Sequence, residues 1–169
     1  MKTMSIAMVA SLCAAIMLAA SSGSAPAATF LQASSTDPQP APDTKPHVAS
    51  MNSTDGANNM TNQNGVVTAG EDGAYFVVAA GQVGGPVKGS VRIWMRQNGK
   101  DVDNSNTEQF IGDPAFTTVL VCQGVLEMKK GDKIEVMFSA TAPGLGLIVR
   151  KPPGEPIVAS IIFSAFKLN

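Results

Sequence analysis

The stretch Ala74–Ala80 reads AYFVVAA and predicts a β-strand that is apolar on both sides. Alternate side chains of a strand point to opposite faces of its sheet. The two alternating sets are Tyr75, Val77 and Ala79 on one face and Phe76, Val78 and Ala80 on the other. Because neither set is polar, we expect both faces of this strand to be covered by other apolar groups.

The C-terminal segment Ile157–Leu168 predicts a final strand with the same property. Its alternating sets are Ile161, Phe163 and Ala165 on one face and Ile162, Ser164, Phe166 and Leu168 on the other. One face of an antiparallel strand packs on the domain core, so a second apolar face needs a further cover, most simply another subunit. The two strands therefore predict an obligate oligomer. Five large side chains are expected in the core or in the subunit interface: Tyr75, Phe76, Ile161, Phe163 and Phe166.

Short strands separated by turn residues continue through the chain, and no window after Thr29 has helical periodicity. Val91–Gln97 predicts a strand that runs into Asn98-Gly99, a strong β-hairpin signal. Further strands are predicted at Val119–Cys122, Val125–Met128, Lys133–Ser139 and Leu145–Val149, with a bulge at Gln123-Gly124 and a turn at Lys130-Gly131-Asp132. Many short strands at this spacing are typical of a β-sandwich or jelly roll.

Residues 28–64 permit two interpretations. The stretches Phe30–Ala33 and Pro46–Met51 have the composition of strands. The prolines between them and the asparagine-rich stretch after them favour a partly disordered linker instead. Both interpretations are retained at this stage.

Composition excludes several classes of protein. The chain has 169 residues, a net charge of −1, 44% hydrophobic and 15% charged residues. This length suits one domain, and the hydrophobic content is too high for a disordered chain. A balanced charge without a basic stripe argues against a nucleic-acid partner. Glycine and proline are frequent without a Gly-X-Y period, so no collagen-like stalk is expected.

The N-terminus resembles a secretory signal peptide, residues 1–27. Lys2 precedes the uncharged run Ile6–Ala20, which at 15 residues is short for a membrane span of roughly 20 residues. Ala25-Pro26-Ala27 then fits a signal-peptidase site, with cleavage after Ala27. An uncleaved anchor or a buried helix is the alternative. Cleavage predicts a secreted domain of residues 28–169, with no membrane span and with Cys122 as a buried free thiol.

Four motifs, in this order, resemble the C1q-like domain of the C1q and tumour-necrosis-factor jelly-roll superfamily. The motifs are Glu71–Phe76 at the start of a strand, Asn98-Gly99-Lys100 in a hairpin, Leu126–Ile134 around a Gly-Asp turn, and Ser160–Phe166 in the closing strand. They cover residues 65–169. Ala165 stands where the family prefers glycine, and the family's collagen-like stalk is absent. The resemblance implies an all-β jelly roll of about ten antiparallel strands, a compact homotrimer, extracellular recognition and no catalysis.

Two groups of polar residues are candidates for ligand contacts. Arg92, Trp94 and Arg96 share one face of a strand, where two guanidinium groups beside an indole could bind sugars, carboxylates or an aromatic partner. The alternative is that the arginine stems and Trp94 cover one another or pack on a neighbouring strand. Asp101 and Asp103 offer oxygen ligands of the type that calcium prefers, although a solvated loop is the simpler interpretation. No other cofactor or metal is expected.

Catalytic patterns are scarce in the sequence. His47 is the single histidine, and it lies in a proline-flanked segment without a nucleophile motif. We therefore expect a non-enzymatic protein. The favoured hypothesis is a secreted homotrimeric module that binds an extracellular glycan, protein or surface polymer. The alternative is a structural subunit of an extracellular matrix, envelope or spore-like coat.

Overall fold

The computed structural model describes residues 27–168, which form fourteen β-strands in two antiparallel sheets and contain no α-helix. The predicted signal sequence up to Pro26 lies outside the described residues. The all-β sandwich prediction is confirmed. The first sheet contains β1 (Phe30–Ser35), β2 (Gln39–Pro40), β4 (Ser53–Asn58), β7 (Gly73–Gly84), β11 (Thr118–Met128), β13 (Gly146–Leu147) and β14 (Ile161–Lys167).

The second sheet covers the buried face of the first. It contains β3 (His47–Val48), β5 (Met60–Gln63), β6 (Val66–Ala69), β8 (Gly89–Gln97), β9 (Lys100–Asp101), β10 (Thr107–Ile111) and β12 (Lys133–Ala140). Its main order is β10-β8-β12-β6-β5. The order in the first sheet is β2-β13-β7-β14-β1-β4, and β11 pairs with the other side of β7.

The core lies between the sheets and takes one alternating set of side chains from each long strand. β7 contributes Tyr75 and Val77, and β14 contributes Ile161 and Phe163, all of which are fully buried. From the second sheet, residues such as Ile93 of β8 pack against them. Each large apolar side chain buried in this way contributes about 1.5–3 kcal/mol to stability.

Two Asn-Gly turns set the register of neighbouring hairpins. Asn98 and Gly99 have φ angles of 50° and 79° and join β8 to β9, which confirms the predicted hairpin. Asn64 and Gly65, with φ angles of 51° and 100°, join β5 to β6 in the same way. Tight two-residue turns of this type need positive φ at both central positions, which Asn and Gly adopt most readily.

The segment 28–64 takes part in both sheets. β1 lies between β14 and β4, and its side chains Leu31 and Ala33 are buried in the core. The polar stretch after it forms β4 and β5, which are the edges of the two sheets. The only residue between these two strands is Asn59, with a φ of 56°.

Two details of the strand predictions are wrong. β11 is continuous, because its pairing with β7 runs without a shift from Thr118 opposite Val83 to Met128 opposite Gly73, so there is no bulge at Gly124. The last strand begins at Ile161, four residues later than predicted. Val158 instead forms an isolated bridge with Arg150 in the loop before it.

Candidate functional site

The outward face of the first sheet carries three rows of side chains. Strand register places residues of β11, β7, β14 and β1 side by side on this face. We call them the aliphatic row (Val121, Ala80, Ile162, Ser34), the amide row (Gln123, Val78, Ser164, Gln32) and the aromatic row (Val125, Phe76, Phe166, Phe30). None of the three rows contains a charged residue.

Large apolar side chains of this face are open to solvent in the protomer. Val125 is 59% exposed, Ile162 45% and Phe166 43%. The rings of Phe76 and Phe166 pack against each other with centroids 5.3 Å apart, so the aromatic row forms a continuous surface. Soluble monomers rarely expose contiguous apolar patches of this kind, and such patches mark interaction sites.

The structure divides the five predicted core or interface residues between two faces. Tyr75, Ile161 and Phe163 are completely buried in the protomer core. Phe76 and Phe166 point away from the core into the aromatic row. β11 and β1 also contribute side chains to this face, which the sequence pattern did not predict. Val119, Val121 and Val125 fall on alternate positions of one face, and this spacing is the signal that could have indicated the contribution of β11.

The Arg92-Trp94-Arg96 stripe lies on the outward face of the second sheet. Trp94 is only 7% exposed and lies beside Met137 of β12. Its Nε1 donates a hydrogen bond to Asp101 Oδ1 at 2.9 Å, and Arg96 Nε donates to the same oxygen at 2.9 Å. Arg92 pairs with Glu108 of the neighbouring strand. The two guanidinium groups are thus the accessible part of the stripe.

The calcium candidates lie just after the Asn98-Gly99 hairpin turn. Asp101 is the last residue of β9, and Asp103 follows two residues later. Asp101 is held by Trp94 and Arg96, and these hydrogen bonds lower the pKa of its carboxyl below the ordinary value. In residues 27–168, no group of three or more His, Cys, Asp or Glu side chains is arranged to hold a metal ion. Asp103 has no acidic cluster around it in this part of the chain.

A cleft of about 320 Å³ lies at the N-terminal end of β1. Its lining residues are Ala27, Ala28, Thr29, Asn58, Asn59, Glu71 and Lys167. Thr29 Oγ1 donates a hydrogen bond to Glu71, and Lys167 Nζ lies 3.4 Å from Glu71 Oε1. The Thr29 hydroxyl, followed by Lys167, lowers the pKa of Glu71. The charged groups of the cleft are therefore paired with one another, and they tie β1 to β14 and to the start of β7.

The contacts of His47 and the burial of Cys122 indicate structural roles for both side chains. His47 Nε2 is 2.9 Å from Asp43 Oδ1, and its ring packs on Phe138 with centroids 5.8 Å apart. The ring contact packs the short strand β3 against β12, and the contact with Asp43 ties β3 to the loop before it. Cys122 is a buried free thiol, and burial raises its pKa to about 12. Since the thiolate is the reactive form, Cys122 behaves as a small apolar side chain.

No helix within residues 27–168 has the length and apolar character needed to cross a membrane. No protein-family model and no curated protein matches the sequence.

Solved structures do match the fold. The globular domain of the zebrafish complement 1qA protein has a TM-score of 0.52 and 15% identity, covering 83% of this chain and 98% of that chain. Murine APRIL in a crystal structure at pH 5.0 has a TM-score of 0.55 and 14% identity, covering 83% and 99%. The fold is therefore a C1q/TNF-like jelly roll, as the four motifs predicted.

Proposed function

We propose that the protein is a secreted, non-enzymatic homotrimer that acts as an extracellular recognition module for a glycan, a protein or a surface polymer. The observation that supports this proposal best is the group of three exposed, uncharged rows on the outward face of the first sheet. Secretion is supported by the signal-peptide pattern in residues 1–27. The C1q/TNF-like fold is the second support, because it suits a binding module.

Burial of the first-sheet face supplies the driving force for assembly. Each protomer would remove the exposed parts of Phe166, Ile162 and Val125 from water, together with their neighbours in the rows. Complete burial of one such side chain is worth about 1.5–3 kcal/mol, so three copies of the face can offset the entropy lost on association. A closed ring of three copies lets every protomer cover its neighbour, and it is the assembly that the family resemblance implies.

Wild-type protein in solution is expected to have three times the protomer mass. Light scattering coupled to size-exclusion chromatography at micromolar concentration measures this directly. A mass near one protomer, with a thermal transition that does not depend on concentration, would refute the homotrimer. Larger particles that persist in high salt would instead favour the structural matrix or coat subunit, since Phe110 and Phe116 are additional exposed aromatic side chains outside the three rows.

Once the first sheet is buried, the outward face of the second sheet stays available for a ligand. Arg92, Arg96 and Lys133 are cationic groups of that face, and the two arginines already bind carboxylates within the protomer. Guanidinium groups bind carboxylate and sulfate or phosphate oxygens through paired hydrogen bonds. We therefore place the ligand contact at Arg92 and Arg96, next to Trp94, and assign it to a ligand with acidic groups.

The double variant Arg92→Ala/Arg96→Ala is expected to weaken binding of an immobilised acidic polysaccharide by about 100-fold, because a hydrogen bond to a charged group is worth about 1.5–3 kcal/mol. Surface plasmon resonance with the trimer measures the change, using heparin and alginate as probes. Arg150→Ala is the matched control, because Arg150 lies in the loop after β13 and bonds Thr117. Equal binding by the double variant and the control would refute this ligand surface.

A further inference from the structure

The amide row lies between two apolar rows of the first-sheet face. Gln32 and Gln123 are exposed in the protomer, and Ser164 is half-buried. On one side of this row the aliphatic row includes Val121 and Ile162, and on the other side the aromatic row includes Phe166. Polar side chains thus lie between two apolar rows, with Ser164 on the central strand β14, Gln32 on β1 beside the edge strand β4, and Gln123 on β11 at the opposite edge of the sheet.

Strand geometry prevents the amide row from staying in water when the two apolar rows are covered. Residues two apart along a strand are separated by about 6.6–6.8 Å, so successive rows lie less than 7 Å apart. A surface that contacts both the aliphatic and the aromatic row on β11, β14 and β1 must therefore also close over Gln123, Ser164 and Gln32. Burying an amide without a hydrogen-bond partner is unfavourable, so the covering surface has to offer both donors and acceptors at this level.

We infer that the amide row forms a buried hydrogen-bonded layer between identical protomers and fixes the register of their association. This inference rests on the proposed homotrimer. A second copy is the occupant that fits, because a glutamine amide carries both donors and an acceptor and can pair with the same group on another chain. Identical uncharged rows also bring no like charges together. A partner displaced along the strands by two residues would set amides against Phe76 and Phe166.

A polar layer of this kind limits the number of ways in which apolar surfaces can associate. A buried asparagine in a coiled coil has the same effect, since it fixes register and oligomer state at some cost in stability. Here the aromatic and aliphatic rows supply the attraction. Gln32, Gln123 and Ser164 restrict it to one alignment.

The test replaces both amides by nearly isosteric acids in the variant Gln32→Glu/Gln123→Glu. Above the ordinary glutamate pKa of about 4.3, each protomer would bring two carboxylates into the layer, where burial and like charge disfavour the ionised form. The pKa of these groups is therefore higher in the trimer than in the free protomer. Assembly is expected to be lost as pH rises and to return as the carboxyls become protonated, because a neutral carboxyl again donates and accepts.

At pH 7.5 the concentration needed to form half of the trimer is expected to rise by about 100-fold or more, since an uncompensated buried charge strongly disfavours the assembled state. At pH 4 it should return to within about tenfold of the wild type, because the carboxyls of this layer are then largely protonated. Analytical ultracentrifugation measures both values, and circular dichroism checks that the protomer stays folded. Gln63→Glu, at an exposed position of β5, is the matched control and should assemble like the wild type at both pH values.

Different failures of this experiment point to different conclusions. A double variant that assembles like the wild type at pH 7.5 would overturn the amide layer but leave the homotrimer intact. Failure to reassemble at pH 4, when wild type and Gln63→Glu assemble there, would also overturn it, because charge would not explain the loss. A monomeric wild type would refute the proposed homotrimer itself.

Discussion

Replacing Phe163 with aspartate is expected to abolish folding of the protomer. Phe163 is completely buried, and β14 places it between Ala79 of β7 and Ala33 of β1. Truncating a buried phenylalanine costs about 3–5 kcal/mol, and an unpaired buried charge adds several kcal/mol more. The total approaches or exceeds the whole stability of a typical domain, about 5–15 kcal/mol. Far-UV circular dichroism and one-dimensional NMR should show an unfolded or aggregated chain.

The neighbouring variant Ile162→Asp is the control for this result. Ile162 is one residue away on the same strand but points outward and is 45% exposed in the protomer. The same charge at this position should leave the protomer folded, with a cooperative thermal transition. If Phe163→Asp folded as well as Ile162→Asp, the assignment of the two faces of β14 would be wrong.

The alternation of side chains predicted the central strands β7 and β14 but not the direction of their faces. Tyr75 and Phe76 are both aromatic, so a period of two separates them without showing which belongs to the core. The direction is decided by neighbours that are distant in sequence. β11 pairs with β7, and β1 pairs with β14. In all four strands, the side chains in register with one another on one face point towards the second sheet.

The edge strands were missed for a different reason. β4 (Ser53–Asn58) is largely polar and exposed, so it has no apolar alternation from which a strand could be predicted. It is held by backbone pairing with β1, which composition does not reveal. For the other edge strand, β5, the Asn64-Gly65 turn was the available local signal. It has the same residues as the Asn98-Gly99 turn, and both residues have positive φ angles in each turn.

Alternation likewise placed the Arg92-Trp94-Arg96 stripe on one face but could not show what covers the indole. Trp94 is buried because β12 sets Met137 beside it and the Asn98-Gly99 turn returns Asp101 to its N–H. The distance along the sequence between Trp94 and Met137 explains why this contact was not predictable. The hairpin contact with Asp101 is local, and the turn signal alone could have suggested it.

Replacing Phe166 with aspartate is expected to give a folded protomer that no longer assembles. Phe166 packs against Phe76 at a centroid distance of 5.3 Å and lies beside Phe30, so the new charge would stand in the middle of the aromatic row. In the protomer this position is open to water, and the carboxylate remains solvated there. In the trimer three such carboxylates would be buried without cationic partners, because the three rows contain none. Light scattering should give the mass of one protomer where the wild type gives the mass of three, and the thermal transition should stay cooperative.

The control variant Thr61→Asp, at an exposed position of β5, adds the same charge on the other sheet and should leave the trimer unchanged. A trimeric Phe166→Asp protein would show that the aromatic row lies outside the interface, and the face of the first sheet would then need a different partner.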